Sequence, residues 1–469
     1  MMTASFIFFL LCFVVIGVAS VMVHKKNSSD YLLAGSDVKP WLVALSAVAT
    51  NNSGYMFIGL IGFAYLAGLH AAWLMIGWIF GDFIVSLFVH KQLREKTEET
   101  GSLSFMGVVC KWNGKEMNAL RFIGGVLTLA FLGTYAGAQL SAGSKALHVL
   151  FGWDYALGAV IGAVIVVAYC FAGGLRASIW TDAAQSFVMF FAMTLMCVLT
   201  ITQLGGWGEF THNLNNVSPT FLDIFPSDTQ FGPAMFILGW IFAGFGVIGQ
   251  PHIMVRFMAM DDAKNMTRVR SYYYSWFSTF SVLCICTGLA ARLLIPETAN
   301  FDSELALPVM AQDLLHPILA GLVLAGLFAA TMSTADSQIL SCTASITRDL
   351  RQGKELSYWL TKICTIFVTA IALMVALFGS DSVFTLVVVA WSALGSAFAP
   401  MFIVLALGGH FSQRLGISMV LIGLGSMMLW RYLGYSDSVY EVMPGMLAGL
   451  ATYGVGAALA RATKTQTSS

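Results

Sequence analysis

The densest polar cluster in this otherwise apolar chain is Thr331-Met332-Ser333-Thr334-Ala335-Asp336-Ser337-Gln338. At about 3.6 residues per turn, a helix here carries Ser333, Asp336 and Ser337 on one face, with Thr334 beside them. Hydroxyls and a carboxylate are hard oxygen donors, suited to an alkali cation rather than to a soft metal. Hydroxyls can also simply bond back to carbonyls of their own helix. That reading leaves Asp336 unexplained, because an aspartate at the centre of a membrane helix costs about 2.5–3.5 kcal/mol on insertion scales. A second carboxylate, Asp182, opens another apolar run in Ser178-Ile179-Trp180-Thr181-Asp182. It lies about one turn inside the cytoplasmic boundary, where the macrodipole at a helix N-terminal end would also favour an aspartate. Asp82 is a third acidic residue in an apolar run and is assigned no role.

Two other stretches interrupt apolar runs. Ala49-Thr50-Asn51-Asn52-Ser53-Gly54-Tyr55 puts four polar residues and a glycine at mid-membrane depth, and Gly244-Phe245-Gly246-Val247-Ile248-Gly249-Gln250-Pro251-His252 combines three glycines with a proline. In secondary transporters the first helix of each repeat is interrupted, because unwound backbone offers carbonyls and helix ends to ions and substrate. Gly and Pro also serve packing and kinks in membrane helices. The matching positions of the two stretches in the two halves of the chain favour breaks. His252 reads as an interfacial histidine rather than a ligand. The pairs Gly77/Gly81 and Gly158/Gly162 read as close helix packing. There is no GxSxG, HExxH or P-loop, so an enzyme or an ATP-driven pump would have no visible machinery.

The elements that must position these residues are membrane helices. Apolar residues make up 58% of the chain, charged ones only 10%, and mean hydropathy is +0.79, whereas soluble proteins carry about a quarter charged residues. Apolar stretches of about 18–28 residues match a helix crossing ~30 Å of hydrocarbon, and none alternates as a barrel strand does. The expected fold is all-α and polytopic. Thirteen spans are expected, at roughly 4–23, 39–67, 70–90, 120–149, 155–173, 177–203, 231–257, 272–295, 306–342, 356–379, 383–408, 412–432 and 440–460. The first span lacks the basic flank of a signal peptide and reads as a retained helix. Most Lys and Arg between spans, among them Lys25, Lys91, Arg94, Arg176, Arg256, Arg268, Arg348 and Arg414, fall on one side, against Lys145, Arg292 and Arg431 on the other. Positive charge marks the cytoplasmic side, which places the N-terminus outside and the C-terminus inside. The expected organisation is a peripheral helix and cytoplasmic loop (1–38), a five-helix repeat (39–203), an extracytoplasmic loop (204–230), a second five-helix repeat (231–409), and two further helices with a short tail (410–469). The eight cysteines show no CxxC or Cys/His spacing and read as small core residues. Net charge is zero and gives no reason to expect nucleic acid.

At this point the chain resembles the solute:sodium symporter family, most closely the bacterial sodium/proline symporters. The resemblance spans nearly the whole sequence. It rests on Ser29-Asp30-Tyr31, Ala44-Leu45-Ser46-Ala47 with Ser53-Gly54, Gly173-Gly174 with Trp180-Thr181-Asp182, Gly249-Gln250-Pro251-His252-Ile253 with Arg256-Phe257-Met258, Met332-Ser333-Thr334, and Ala390-Trp391. It implies a LeuT-type core of five-plus-five inverted repeats working by alternating access. The sodium site it implies uses backbone carbonyls of Ala49, Asn52 and Ala330 with the hydroxyls of Ser333 and Thr334. A second cation site would lie among Asp182, Asp336 and Ser337. The substrate would lie between the breaks, near Ser53, Gly54, Tyr55 and Tyr135 on one side and Phe245, Val247, Gln250 and Trp391 on the other. The sequence departs from the proline-symporter pattern in three places. Asn51 stands where those proteins carry aspartate, Ala243 and Val247 where they carry tryptophan and tyrosine, and Asp336 where the enteric-type carriers have a hydroxyl residue.

The expected function is thus sodium-coupled import of a small organic solute across the plasma (inner) membrane, with an amino acid such as proline first in line. Its partners would be that solute, the sodium ion and the lipid bilayer, with no organic cofactor and no obligate protein partner. The same machine carrying a vitamin acid or a monocarboxylate is the alternative within transport. A transporter-like sensor would need a signalling domain, and only about eight residues follow the last span. A channel would want a continuous polar pore, whereas these polar clusters gather at mid-depth.

Overall fold

In the computed structural model, residues 1–22, 25–226, 229–296, 300–351, 356–379 and 382–467 are described, and regular structure among them is helical apart from one isolated bridge between Val38 and Met260. The principal helices are α1 (Met2–Ala19), α2 (Pro40–Gly54), α3 (Ile61–Ala67), α4 (Ala72–Ser86), α5 (Asn118–Phe151), α6 (Tyr155–Gln203), α7 (Pro233–Phe245), α8 (Pro251–Met258), α9 (Met266–Leu294), α10 (Pro317–Ala344), α11 (Tyr358–Phe378), α12 (Val383–Ala406), α13 (Gln413–Tyr432) and α14 (Val442–Thr467). Proline stands at the first turn of α2, α7, α8 and α10, where its missing N–H leaves no helix bond unmade.

Among the described residues, ten helices are long and apolar enough to cross a membrane, or eleven when the bent pair Pro233–Gly249 and Pro251–Met258 is taken as one. That measure does not reproduce the expected count of thirteen, and the difference has two sources. The stretch 40–67 is cut into pieces, none of which is long enough alone. The 49-residue α6 counts once although it holds two crossings' worth of chain, about 74 Å at 1.5 Å per residue. It breaks at Gly174, whose φ of 57° and ψ of −141° leave the helix. A Cβ at that glycine would lie 2.4 Å from the Tyr31 carbonyl oxygen, so only glycine admits both the turn and the close approach. The expected span 306–342 is also corrected. A short helix, Ala306–Leu314, precedes α10 and is separated from it at Leu315-His316.

The centre of the molecule is α10 with α12. In each, 89% of the most apolar window is buried, against 17% in α1. A helix so buried can carry polar residues on several faces, provided other helices supply partners. α2 packs against α10, and α10 packs against α5 and α6. The segment before α2 and the segment after α8 are joined by backbone, with Val38 N–H donating to Ala259 O (3.1 Å) and Asp261 N–H to Val38 O (3.0 Å). The small-residue pairs do pack helices: a Cβ at Gly81 would lie 2.0 Å from Ile241 O, and one at Gly158 2.8 Å from the Ser144 Cβ. All eight cysteines are free thiols.

Candidate functional site

Both expected breaks are present. In α2 the helix is interrupted at Ser53, with φ 46° and ψ −179°. This is left-handed backbone that a serine adopts only under constraint from its surroundings. The chain resumes through a π-helical turn, Tyr55–Leu60, before α3. Freed backbone at the break finds side chains: Gly54 N–H donates to Gln139 Oε1 (2.8 Å) and Tyr55 N–H to Ser53 Oγ (3.1 Å). In the second half, α7 passes into a 3-10 turn, Gly246–Gly249, then an extended Gln250, and α8 departs at 55°.

The Ser53 break brings α2 against α10. The Ser333 hydroxyl lies 3.0 Å from Ala330 O and 3.4 Å from Ala49 O, and the Thr334 hydroxyl 3.0 Å from Thr50 O and 3.2 Å from Ala330 O. Five oxygens from two helices therefore converge in a fully buried place. This is the hard-donor arrangement that suits a small alkali cation. Asn52 bends its amide back to Val48 O (2.7 Å), and its Oδ1 has no hydrogen-bond partner among the described residues.

One helical turn along α10, Asp336 and Asp182 are brought together with a residue that sequence reasoning had counted among the loop charges. Arg256 is completely buried. Its Nη2 lies 3.3 Å from Asp182 Oδ2 and 3.9 Å from Asp336 Oδ1, and it donates to Ser178 Oγ at 2.8 Å and to Ser337 Oγ. Ser46 donates to Asp182 (2.6 Å), and Ser178 and Ser337 each donate to Asp336 (2.9 Å). Asp182 Oδ1 and Asp336 Oδ2 have no partner among the described residues. One guanidinium matches one carboxylate, so the second must carry a proton or be met by a cation. Arg94, Arg176 and Arg348, also counted as loop charges, are likewise buried. Arg176 is held by Asp30 at 2.6 Å, because ends of the helices fold inward against neighbours.

Around the breaks, Tyr135 OH lies 3.4 Å from Ser53 Oγ. Trp391 Nε1 donates to Ala243 O (3.0 Å), and Gln250 Nε2 donates to Trp391 O (3.0 Å). Val247 O accepts from Gln250 N–H (2.9 Å). Tyr55 stacks on Phe384 at 5.5 Å, and its hydroxyl has no partner among the described residues. Phe245 stands apart, half-buried and edge-on to Phe242 at 5.1 Å. His252 is not interfacial. It is fully buried in the first turn of α8 and meets the Tyr135 ring edge-on at 5.6 Å, because the bend at Gln250 carries it inward. Gln139, His252 and Trp78, which lies 4.3 Å from Trp391, border the breaks and were not among the residues expected there. For Gln139 the signal was present, since an amide in mid-span needs a partner.

The sequence pattern of the sodium:solute symporter family matches residues 31–423. The chain belongs to that family. It is similar to the high-affinity proline transporter PutP of Bacillus subtilis (strain 168), 31% identical over 438 residues, 91% of this chain and 92% of the relative. A sodium/proline symporter of Staphylococcus aureus (strain JH9) is 30% identical over 463 residues, 94% of this chain and 89% of the relative. Among solved structures, a substrate-bound, outward-open Na+-coupled sialic acid symporter covers 97% of this chain and 98% of its own, with a TM-score of 0.81 at 18% identity. MHP1, a nucleobase-cation-symport-1 family transporter, gives a TM-score of 0.58 at 16% identity and covers 91% of this chain and 93% of its own. The fold is thus the LeuT-type core. The protein is a sodium-coupled secondary transporter of a small organic solute.

Gly54 offers a direct check on the break. A Cβ there would lie 2.6 Å from Thr331 Cγ2 and 3.0 Å from Gln139 Oε1. Gly54→Ala is expected to cost about 1–3 kcal/mol through overpacking. The variant should show a lowered Tm in purified protein together with reduced uptake.

Proposed function

We propose that this symporter imports an amino acid, with proline first among candidates, across the plasma membrane, its N-terminus outside and its C-terminus inside. The observation that carries the reading is the oxygen cluster of Ala49, Ala330, Ser333 and Thr334 beside a helix broken at Ser53. Sodium is bound there, with Asn52 O completing the set. Binding ties α2 to α10 and so favours the state that closes on the solute, which is how an ion with differential affinity for two states drives a cycle. The two five-helix repeats, 39–203 and 231–409, each open on one of the broken helices. The solute sits between the breaks. Ser53, Gly54, Tyr55 and Tyr135 contact it from one side, and Val247, Gln250 and Trp391 from the other, with Phe245 set back from them. Support comes from the unpartnered buried atoms Tyr55 OH and Gln250 Oε1, which are costly unless something pairs with them. A second cation is held by Asp182, Asp336 and Ser337, where it balances the charge that Arg256 leaves uncompensated. The proline relatives support that substrate.

A monocarboxylate or vitamin acid is the second reading, favoured by the small side chains of Ala243 and Val247 at the second break. Uptake of a labelled solute panel by proteoliposomes, with and without an inward sodium gradient, tests both. Sodium-dependent accumulation of proline, with counterflow of internal for external label, is the expected result. Accumulation of acids but not amino acids would select the second reading, and flux without counterflow would exclude a carrier.

A further inference from the structure

Asp82, the acidic residue without an assigned role, is completely buried in α4 and forms no ion pair among the described residues. Its backbone is pressed against the second broken helix, since a Cβ at Gly244 would lie 2.6 Å from Asp82 N. Its side chain reaches the first. Tyr273 OH donates to Asp82 Oδ2 (3.0 Å) and accepts from Asn51 Nδ2 (2.5 Å), two residues before Ser53. Two oxygens of this chain, Asp82 Oδ1 and Asn51 Oδ1, are buried without a hydrogen-bond partner among the described residues.

The titratable groups nearby form no ion pair with it among the described residues. From α9, Arg270 donates to the carbonyls of Ser86 (2.7 Å) and Leu87 (3.3 Å), while Tyr274, its ring edge-on to Tyr273 at 4.8 Å, turns its hydroxyl toward Asp82 as Tyr273 does. α7 and the turn Gly246–Gly249 carry no titratable side chain. From the helix that follows α4, His90 stacks on Phe257 at 4.0 Å. Arg256 of α8 is held in the Asp182 network. An isolated carboxylate in such a place is costly as an anion, so a cation must accompany it. Sodium seeks about six oxygens, by analogy with other hard cations, whereas the hydrogen bond at the Asp82 carboxyl brings it one further oxygen, Tyr273 OH, with Tyr274 OH turned toward it. A proton needs one.

We propose that Asp82 is a proton-binding site of the transport cycle, connected through Tyr273 and Asn51 to the break at Ser53. One O–H bond forms on Asp82 Oδ1 with a proton from bulk water and breaks when that proton returns to water; nothing is oxidised or reduced. Because the carboxyl is joined to the first broken helix through Tyr273 and Asn51, and the Asp82 backbone packs against Gly244 of the second, its charge state biases their relative position, and sodium-driven uptake gains a dependence on pH. Only this last consequence rests on the carrier reading.

Infrared difference spectra of the purified protein in liposomes, taken between acid and alkaline pH in sodium-free and sodium-containing buffer, test the site itself. The expected result is a protonated-carboxyl band that titrates, that loses a component in Asp82→Asn, and whose midpoint moves in Tyr273→Phe, which keeps the carboxyl. Proteoliposome uptake should lose its pH dependence in Asp82→Asn. Identical spectra in wild type and Asp82→Asn would overturn the proposal. So would a carboxyl that stays ionised at every pH while Asp82→Asn abolishes sodium binding, which would assign the site to sodium instead. A wild type that titrates but transports nothing would sink the carrier reading and leave this site standing.

Discussion

Replacing Ser333 and Thr334 together by alanine is expected to raise the sodium concentration for half-maximal uptake by at least about 100-fold. The two hydroxyls are the side-chain members of the cluster that also contains the carbonyls of Ala49 and Ala330. A hydrogen bond or similar contact to a charged group contributes about 1.5–3 kcal/mol, so losing two removes about 3–6 kcal/mol. At about 1.4 kcal/mol per tenfold, that is two orders of magnitude or more. The folded state loses less, since both hydroxyls also serve as helix-to-helix donors that alanine simply leaves out. Sodium titration of uptake, paired with the sodium-induced rise in Tm of the purified protein, separates ion binding from folding. Thr200→Ala is the matched control, because that hydroxyl bonds back to Met196 and Cys197 of its own helix. A double variant that keeps the wild-type sodium curve would remove the assignment.

Arg256 gives the other large effect, and it falls first on stability. Deleting the guanidinium strands Asp182 and Asp336 in a fully buried place with hydroxyls as their only donors. Breaking a buried ion pair from one side costs about 3–5 kcal/mol, because the remaining charge is uncompensated. Arg256→Met is therefore expected to lower the yield of folded protein sharply. Arg256→Lys is not a conservative alternative, because a single ammonium cannot reach Ser46, Ser178, Ser337 and the His252 carbonyl at once, as the planar fork does. Arg256→Met combined with Asp182→Asn should recover folding without full transport. Size-exclusion profiles and Tm values of the three proteins check this. If Arg256→Met alone were as stable as wild type, the network would not hold α2, α6, α8 and α10 together.

Much of this was legible one residue at a time. Helix number to within a few, the absence of strands and the two interruptions follow from local causes. Apolar run length sets what can cross a bilayer, and glycine, proline and polar clusters weaken a helix where they stand, as at Ser53 and at Gly246–Gln250. Ser333, Asp336 and Ser337 stood out as hard donors because they share one helix face, with Thr334 beside it, another short-range property. What the chain could not disclose locally is which groups meet through space. Arg256 was assigned to a loop because charge near a span end normally seeks water. The bend at Gln250 turns it instead into the space between two aspartates 74 and 80 positions away in sequence. His252, read as interfacial, is fully buried against Tyr135. Asp82 carried no role until Tyr273, 191 residues further on, joined it to Asn51. Burial of charge depends on partners from other helices, and those partners are chosen by packing geometry, which no window along the sequence contains.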